Sequence, residues 1–222
     1  ELTSPLQSSA YVDITVDVMK NFGVTVEKTD SGFRVSGDNY TAVSGTAVEA
    51  DWSQAAFFLA ANALGRDVKC EGLNSNSAQG DKAIASIVAE AVTNGRIKPM
   101  EIDVSEFPDL VPPLAAMFCF ADGVSKLTNA GRLRLKESDR LESVADAVNK
   151  LGGNAQIDGD TLIITGVSTL RGGAVNPRGD HRIAMMTAVL SLRCDGEVWL
   201  TNPECVNKSY PNFWKDFEVI PR

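Results

Sequence analysis

Three times along this 222-residue chain an apolar, helix-forming stretch opens on aspartate and stops at glycine: Asp51 to Gly65, Asp109 to Gly123 and Asp180 to Gly196. A strand-forming run follows each of them. Then comes a second helical pattern, and twice a pair of alternating runs that reads as a hairpin. The unit is strand–helix–strand–helix–strand–strand. A repeat on this scale limits the fold more than any single element does, because one unit cannot bury its apolar face alone. The copies diverge too far for an open solenoid of identical turns. The expected class is α+β, with α/β repeats: a few βαβαββ units packed around a shared helical core.

Between these landmarks the pattern predicts a helix over 11–22 that stops at Gly23, then a hairpin of 24–27 and 33–36. A second short strand pair is expected within 40–48. The helix after Asp51, capped by Asp51 or Ser53, precedes a buried strand at 67–71. A helix over 82–92 and a strand-like 96–104, broken by Pro99, follow. Asp109 is expected to start a helix with Pro112 and Pro113 in its first turn, where a missing N–H costs little. A strand over 125–129 leads to a helix from Ser138 or Asp139 to about Gly152, then to a hairpin of 154–157 and 161–165. Residues 171–179 read as a glycine-rich connection. Asp180 opens a helix through Leu192, 197–201 is a strand, and a last helix runs from about Pro211 to Phe217. Residues 11–36 match only the second half of a unit. The expectation is a chain that starts mid-unit, as the C-terminal part of a longer protein; the alternative is a degenerate first repeat.

Charge narrows the function classes. The formal net charge is −8, against a general nucleic-acid surface, which needs a basic excess. It leaves room for a local basic pocket. No apolar run approaches the ~18 residues of a membrane span. Cys70, Cys119, Cys194 and Cys205 form no CxxC and have no nearby histidine, which reads as reduced thiols in a cytoplasmic protein. One histidine in the whole chain argues against a histidine-based metal site. No G-x-S-x-G, Walker loop or G-x-G-x-x-G is present.

The unusual stretch is Lys136-Glu137-Ser138-Asp139-Arg140-Leu141. Leu141, Val144, Ala145, Val148 and Leu151 recur at helical spacing, so the hexapeptide sits at a helix start, with Asp139 and Glu142 at capping-box positions. Cations there oppose the macrodipole by roughly 0.3–1 kcal/mol each. Taken alone, the stretch reads equally as a solvated turn or as an anion site. His181 and Arg182 open another helix, and Lys208 stands just ahead of a third, where Pro211 can take the first helical position. Cations at three such starts point to helix N-termini gathered around an anionic ligand. Asp109 is either a plain N-cap or, with Glu137, one of two carboxyl groups beside that pocket. Such a pair can move protons both ways if its environments differ. His181 either titrates or only hydrogen-bonds the ligand.

Arg134-Leu-Lys136-Glu-Ser-Asp-Arg140-Leu141 and Gly179-Asp-His181-Arg182-Ile-Ala-Met185 resemble the two signature segments of the 5-enolpyruvylshikimate-3-phosphate synthase family. Phe107-Pro108-Asp109, Lys208-Ser209-Tyr210-Pro211, the segment from Ser8 to Thr15 and residues 76–81 fit as well. The resemblance covers essentially the whole chain. It implies an enolpyruvyl-transferase-like fold of two lobes, each of three βαβαββ units, with the site between them. Residues 1–47 would finish the N-terminal lobe and 48–222 form most of the C-terminal lobe. The implied reaction moves the enolpyruvyl group of phosphoenolpyruvate to the 5-hydroxyl of shikimate 3-phosphate and releases phosphate, with no metal or organic cofactor.

By the same resemblance, Asp109 takes or orients the 5-hydroxyl proton and Glu137 exchanges the proton at the methylene carbon. Arg140 and Arg182 hold the phosphoenolpyruvate carboxylate, with His181 and Lys208 around its phosphate. Lys136 contacts the shikimate hydroxyls, and Ser8 and Tyr11 the shikimate phosphate. Arg132 stands where some members carry a substrate-contacting Asn, so that contact is not carried over. The family's N-terminal Lys, its glycine loop, an N-lobe Arg and a Ser-Ser-Gln segment have no counterpart here. The chain would therefore need the missing N-terminal lobe as a partner, and would have negligible synthase activity alone. The rival readings are a UDP-N-acetylglucosamine enolpyruvyl transferase relative, a non-catalytic half-enzyme binding module, and an RNA phosphate cyclase relative, which the acidic charge and absent catalytic His motif disfavour.

Overall fold

The computed structural model describes residues 1–37 and 39–220. Its first elements are α1 (Ser9–Asn21), β1 (Val26–Thr29) and β2 (Gly32–Val35), the helix and hairpin expected there. Then come α2 (Trp52–Ala63), α3 (Ala83–Ala91), β3 (Val92–Thr93), β4 (Arg96–Ile97) and β5 (Glu101–Asp103). They are followed by α4 (Val111–Phe118), β6 (Val124–Thr128), α5 (Arg140–Lys150), β7 (Asn154–Asp158) and β8 (Thr161–Thr165). The chain closes with β9 (Gly173–Val175), α6 (His181–Ser191), β10 (Val198–Leu200) and α7 (Phe213–Glu218).

One repeat is complete. β5, α4, β6, α5, β7 and β8 follow the βαβαββ order and form a sheet of order β5-β6-β8-β7. β5 and β6 run parallel across α4, as a crossover connection requires, and β7–β8 is the hairpin. β9–α6–β10 is a second parallel β–α–β pair. The helices that open each repeat, α2, α4 and α6, pack on one another. Every residue of α4 is buried and all but the last of α6. This is the shared helical core. Such helices are apolar all round because helices and sheet cover every face. α5 is amphipathic instead, turning Leu141, Val144 and Val148 inward.

Close backbone approaches hold the repeats together. The chain leaving β8 passes the end of α4 so tightly that a Cβ on Gly166 would lie 1.8 Å from the Ala121 carbonyl oxygen. Gly166 N–H donates to Gly123 O, and Val167 N–H to Cys119 O. The obstacle is backbone, so it cannot rotate away. Gly166→Ala is therefore expected to destabilise the full-length protein by at least about 3 kcal/mol, the upper end of ordinary overpacking. The urea midpoint measures it, and a loss under about 1 kcal/mol would contradict the packing described.

Four expectations are corrected. Residues 40–48 form no strand. Residues 67–71 make no ladder either, and they are not buried: Val68 and Cys70 are half-buried, and Asp67, Lys69 and Glu71 are exposed. Val68 gives both backbone groups to the Asn62 side-chain amide, at 2.8 Å each. The same clamp recurs where Asn149, near the end of α5, holds Ala155. Asp109 is not an N-cap. It lies in the 3-10 turn Pro108–Leu110, and α4 begins without a side-chain cap. Pro112 and Pro113 occupy the positions whose N–H groups a cap would accept, so none is needed. The last helix starts at Phe213, not Pro211. Residues 203–208 coil into a 3-10 helix opened by Pro203, and α7 begins where Phe213 can be buried beside Phe58, Tyr210, Trp214 and Phe217. Lys208 therefore ends a short helix, where a cation is favoured. The glycine-rich stretch after Arg171 also hides β9, too short to show periodicity.

Candidate active site

The ends of four elements meet on one face. Asp109 comes from the 3-10 turn before α4, Lys136 and Glu137 from the approach to α5, and Arg140 from its first residue. Asp180, His181 and Arg182 begin α6, and Lys208 ends the 3-10 helix. Local sequence fixes these starts. Asp139 caps α5 by accepting from Glu142 N–H at 3.1 Å. Asp180 caps α6 by accepting from Arg182 N–H at 3.0 Å.

Arg140 is the hub. Its guanidinium is 1% exposed and bound on every side. Nε donates to Asp180 Oδ2 at 2.8 Å and Nη2 to Asp180 Oδ1 at 3.2 Å. Nη1 donates to Asp109 Oδ1 at 2.8 Å, and Nη2 also meets Glu137 Oε2. A cation at a helix start is tolerated here because three carboxylates surround it. Asp180 is fully buried and also accepts from Ser138 Oγ at 3.2 Å.

Asp109 joins three cations: Arg140, Lys136 at 3.1 Å and Arg182 at 3.2 Å. Burial opposes its ionisation, but Arg182, Lys136 and Arg140 outweigh this and hold its carboxyl at about 2. Glu137 is half-exposed and pairs with Lys208 Nζ at 2.8 Å. Burial again opposes ionisation, and the Lys208 bond, a backbone N–H and Arg140 bring it to about 2. His181 is buried, with Nδ1 unpartnered, and burial followed by Arg182 pushes it below its ordinary value, so it is neutral at pH 7.

Lys136 Nζ stands 5.5 Å from the centre of the Tyr11 ring, which brings α1 into the cluster. Burial, then Asp81 and Asp109, push the Tyr11 phenol well above its usual range, so its proton is retained. Ser8 is one turn away and buried. It lines a groove with Gln7, Tyr11 and Arg132, and its Oγ donates weakly to Ser105 O at 3.4 Å. Arg132 makes no ion pair or hydrogen bond among the described residues and stands in the same groove.

All the residues singled out in the sequence thus meet on this face or its edge. One key residue was missed. Asp180 reads in sequence as an ordinary helix cap, yet it is the main counter-ion of Arg140. The signal was available: an arginine at a helix start, next to an apolar run, needs a buried carboxylate from elsewhere. Chemically the face offers four cations, three carboxylates and a neutral imidazole, with Lys208 57% exposed at its rim. It is an open wall that can take an anion once one of the carboxylates yields. Among the described residues no group of His, Cys, Asp and Glu could hold a metal ion. No helix among them is long and apolar enough to cross a membrane.

The depressed carboxyls fix the acid response. Both folded-state values lie below those of an unfolded chain, about 3.9 for Asp and 4.3 for Glu. Their stabilisation is full above about pH 4–5 and is lost as pH falls towards 2. The urea midpoint of the full-length protein should therefore fall most steeply between about pH 4 and 2, and less steeply for Asp109→Asn. Equal slopes would contradict the ion pairs described.

Residues 1–217 match the family model for EPSP synthase (3-phosphoshikimate 1-carboxyvinyltransferase). A 3-phosphoshikimate 1-carboxyvinyltransferase of Clostridium novyi is 41% identical over 99% of this chain and 53% of its own length. The protein of that name from Methanocaldococcus jannaschii is 38% identical over 96% of the chain and 53% of its own length. A solved structure of EPSP synthase from Acinetobacter baumannii superposes with a TM-score of 0.78 at 23% identity, covering 98% of this chain and 54% of that one, which shows the fold. The chain spans about half the length of the curated relatives it matches.

Proposed function

This chain belongs to the EPSP synthase family, and we propose that it supplies one wall of an active site that transfers the enolpyruvyl group of phosphoenolpyruvate to the 5-hydroxyl of shikimate 3-phosphate. The observation that carries this is the meeting of Asp109, Lys136, Glu137, Arg140, His181, Arg182 and Lys208 on one open face. In this reading residues 1–47 complete an N-terminal lobe, 48–222 form most of the C-terminal lobe, and the facing wall comes from the N-terminal lobe of the full-length enzyme.

The residues divide the chemistry as follows. Lys136, Ser8 and Tyr11 hold shikimate 3-phosphate, the lysine at its hydroxyls and the other two at its phosphate. Arg140 and Arg182 receive the phosphoenolpyruvate carboxylate, and Lys208 and His181 its phosphate. The 5-oxygen attacks C2 while Asp109 takes or orients its proton. C3 gains a proton through Glu137, giving a tetrahedral intermediate. Loss of phosphate from C2 and of a proton from C3 restores the enol and leaves the product. At about 2, Glu137 is ionised in the free protein and has no proton to give at neutral pH. An anionic ligand that draws Lys208 and Arg140 towards itself raises that value, which lets the same carboxyl give and then retake a proton.

The test is product and phosphate formation from the two substrates. The full-length enzyme should turn over, and the 222-residue chain alone should not. Robust turnover by the isolated chain would refute the one-wall reading, and none by the full-length enzyme would refute the activity.

A further inference from the structure

Asp81 is a buried carboxylate that the chemistry above does not use. It lies in the 3-10 turn Gly80–Lys82 and is 4% exposed. A glycine puts it there. A Cβ on Gly80 would sit 2.5 Å from Ala10 Cβ and 3.3 Å from the Glu106 carbonyl oxygen. Without that Cβ the turn presses directly against α1 and the segment leading to Asp109. Asp81 thus stands beside α1, which carries Tyr11, and the segment that leads to Asp109; Arg182 is within electrostatic reach but pairs with Asp109, not with Asp81.

Its polar neighbours are incompletely paired. Asp81 Oδ1 and Arg182 Nη1 are buried and make no hydrogen bond among the described residues, and the buried hydroxyls of Ser53 and Tyr11 stand near Asp81 and Asp109 without reaching full hydrogen-bond distance. An unmet buried polar atom costs about 1–3 kcal/mol, so native structures rarely keep several together without a functional reason. Arg182 explains the set. Its other terminal nitrogen, Nη2, is held by Asp109 at 3.2 Å. In the mechanism Asp109 must turn to a substrate hydroxyl, and Arg182 then needs a second carboxylate to keep it in place.

Resting on the proposed function, we propose that Asp81 is a positioning residue for Arg182, the second counter-charge that keeps this guanidinium aimed at the carboxylate of phosphoenolpyruvate when Asp109 engages the other substrate. The groups facing Asp81 are Tyr11 on α1, Asp51 and Ser53 at the start of α2, Asp109 before α4 and Arg182 on α6. Burial raises the Asp81 carboxyl to about 6, with help from Asp109 and Asp51, against Ser53 and Arg182. It is therefore mostly ionised at pH 7.5 and available as a counter-charge.

The experiment is steady-state kinetics of full-length Asp81→Asn at pH 7.5 with saturating shikimate 3-phosphate, paired with its urea midpoint. The KM for phosphoenolpyruvate should rise about tenfold, the weight of one charge-assisted contact. The kcat should change less than about threefold, because a contact made equally in ground and transition states moves only KM. Stability should hold or rise, since a buried charge with an unpaired oxygen is removed. A wild-type KM in an active Asp81→Asn enzyme would overturn the proposal, as would a lowered midpoint with unchanged kinetics, the mark of a structural role. Asp81→Ser is the second variant, with the same expected rise in KM. Failure of both to fold would also overturn it. If wild type itself formed no product, the proposed function would fail first.

Discussion

Glu137→Gln in the full-length enzyme is expected to lower kcat by about 10²–10⁴-fold, the range of a lost general acid–base group. The amide keeps the shape of the side chain, and its single oxygen can still accept from Lys208 or from Arg140, which the carboxylate serves through separate oxygens. What disappears is the capacity to carry a proton. Phosphoenolpyruvate KM should change far less than kcat. The acid limb of kcat, which reports the enzyme–substrate complex, should lie well above the free-protein value of about 2, because ligand anions compete for Lys208 and Arg140. A variant within about threefold of wild-type kcat would remove Glu137 from the chemistry.

The second large effect is on folding. Asp180→Ala should destabilise the full-length protein by about 3–5 kcal/mol, the range measured when one partner of a buried ion pair is removed. Asp180 and the Arg140 guanidinium are both essentially inaccessible to water, and they share two hydrogen bonds. Without Asp180 the guanidinium keeps only Asp109 and Glu137, on one side. The cap of α6 goes as well, a further loss of about 1 kcal/mol. Asp180→Asn should cost less, since its side-chain oxygen can still cap the helix. A urea midpoint for Asp180→Ala within about 1 kcal/mol of wild type would mean that Arg140 does not depend on this carboxylate.

How far the fold was legible depended on the length of each element. The long periodic helices and the β7–β8 hairpin stand where apolar spacing placed them, because burial of one face determines both period and register. Residues 67–71 alternate like a strand, but alternation describes burial and not pairing, and Val68 bonds to Asn62 instead. β9 escaped notice because three residues carry no period. Asp109 looked like a cap because an aspartate before a helix usually is one. Only the two prolines after it, which lack the N–H groups a cap serves, pointed elsewhere.

The site was legible for a different reason. Cations at the starts of α5 and α6 break a local electrostatic rule, and such a breach needs a partner from elsewhere in the fold. Lys208 joined that set on a mistaken helix start, yet it reaches Glu137 from the end of a 3-10 helix. Asp180 and Asp81 stayed hidden because a carboxylate's counter-ion is a tertiary fact. Nothing in the local spacing of Asp180 names Arg140, forty residues away.

Calorimetric titration of phosphoenolpyruvate, in the presence of shikimate 3-phosphate, tests most directly whether this face is half of a divided site. Tight, saturable binding is expected with the full-length enzyme, and binding too weak to saturate with the 222-residue chain alone. Equal affinity in both would show that the face is a complete site by itself, and no binding in either would show that it is not a site for this anion.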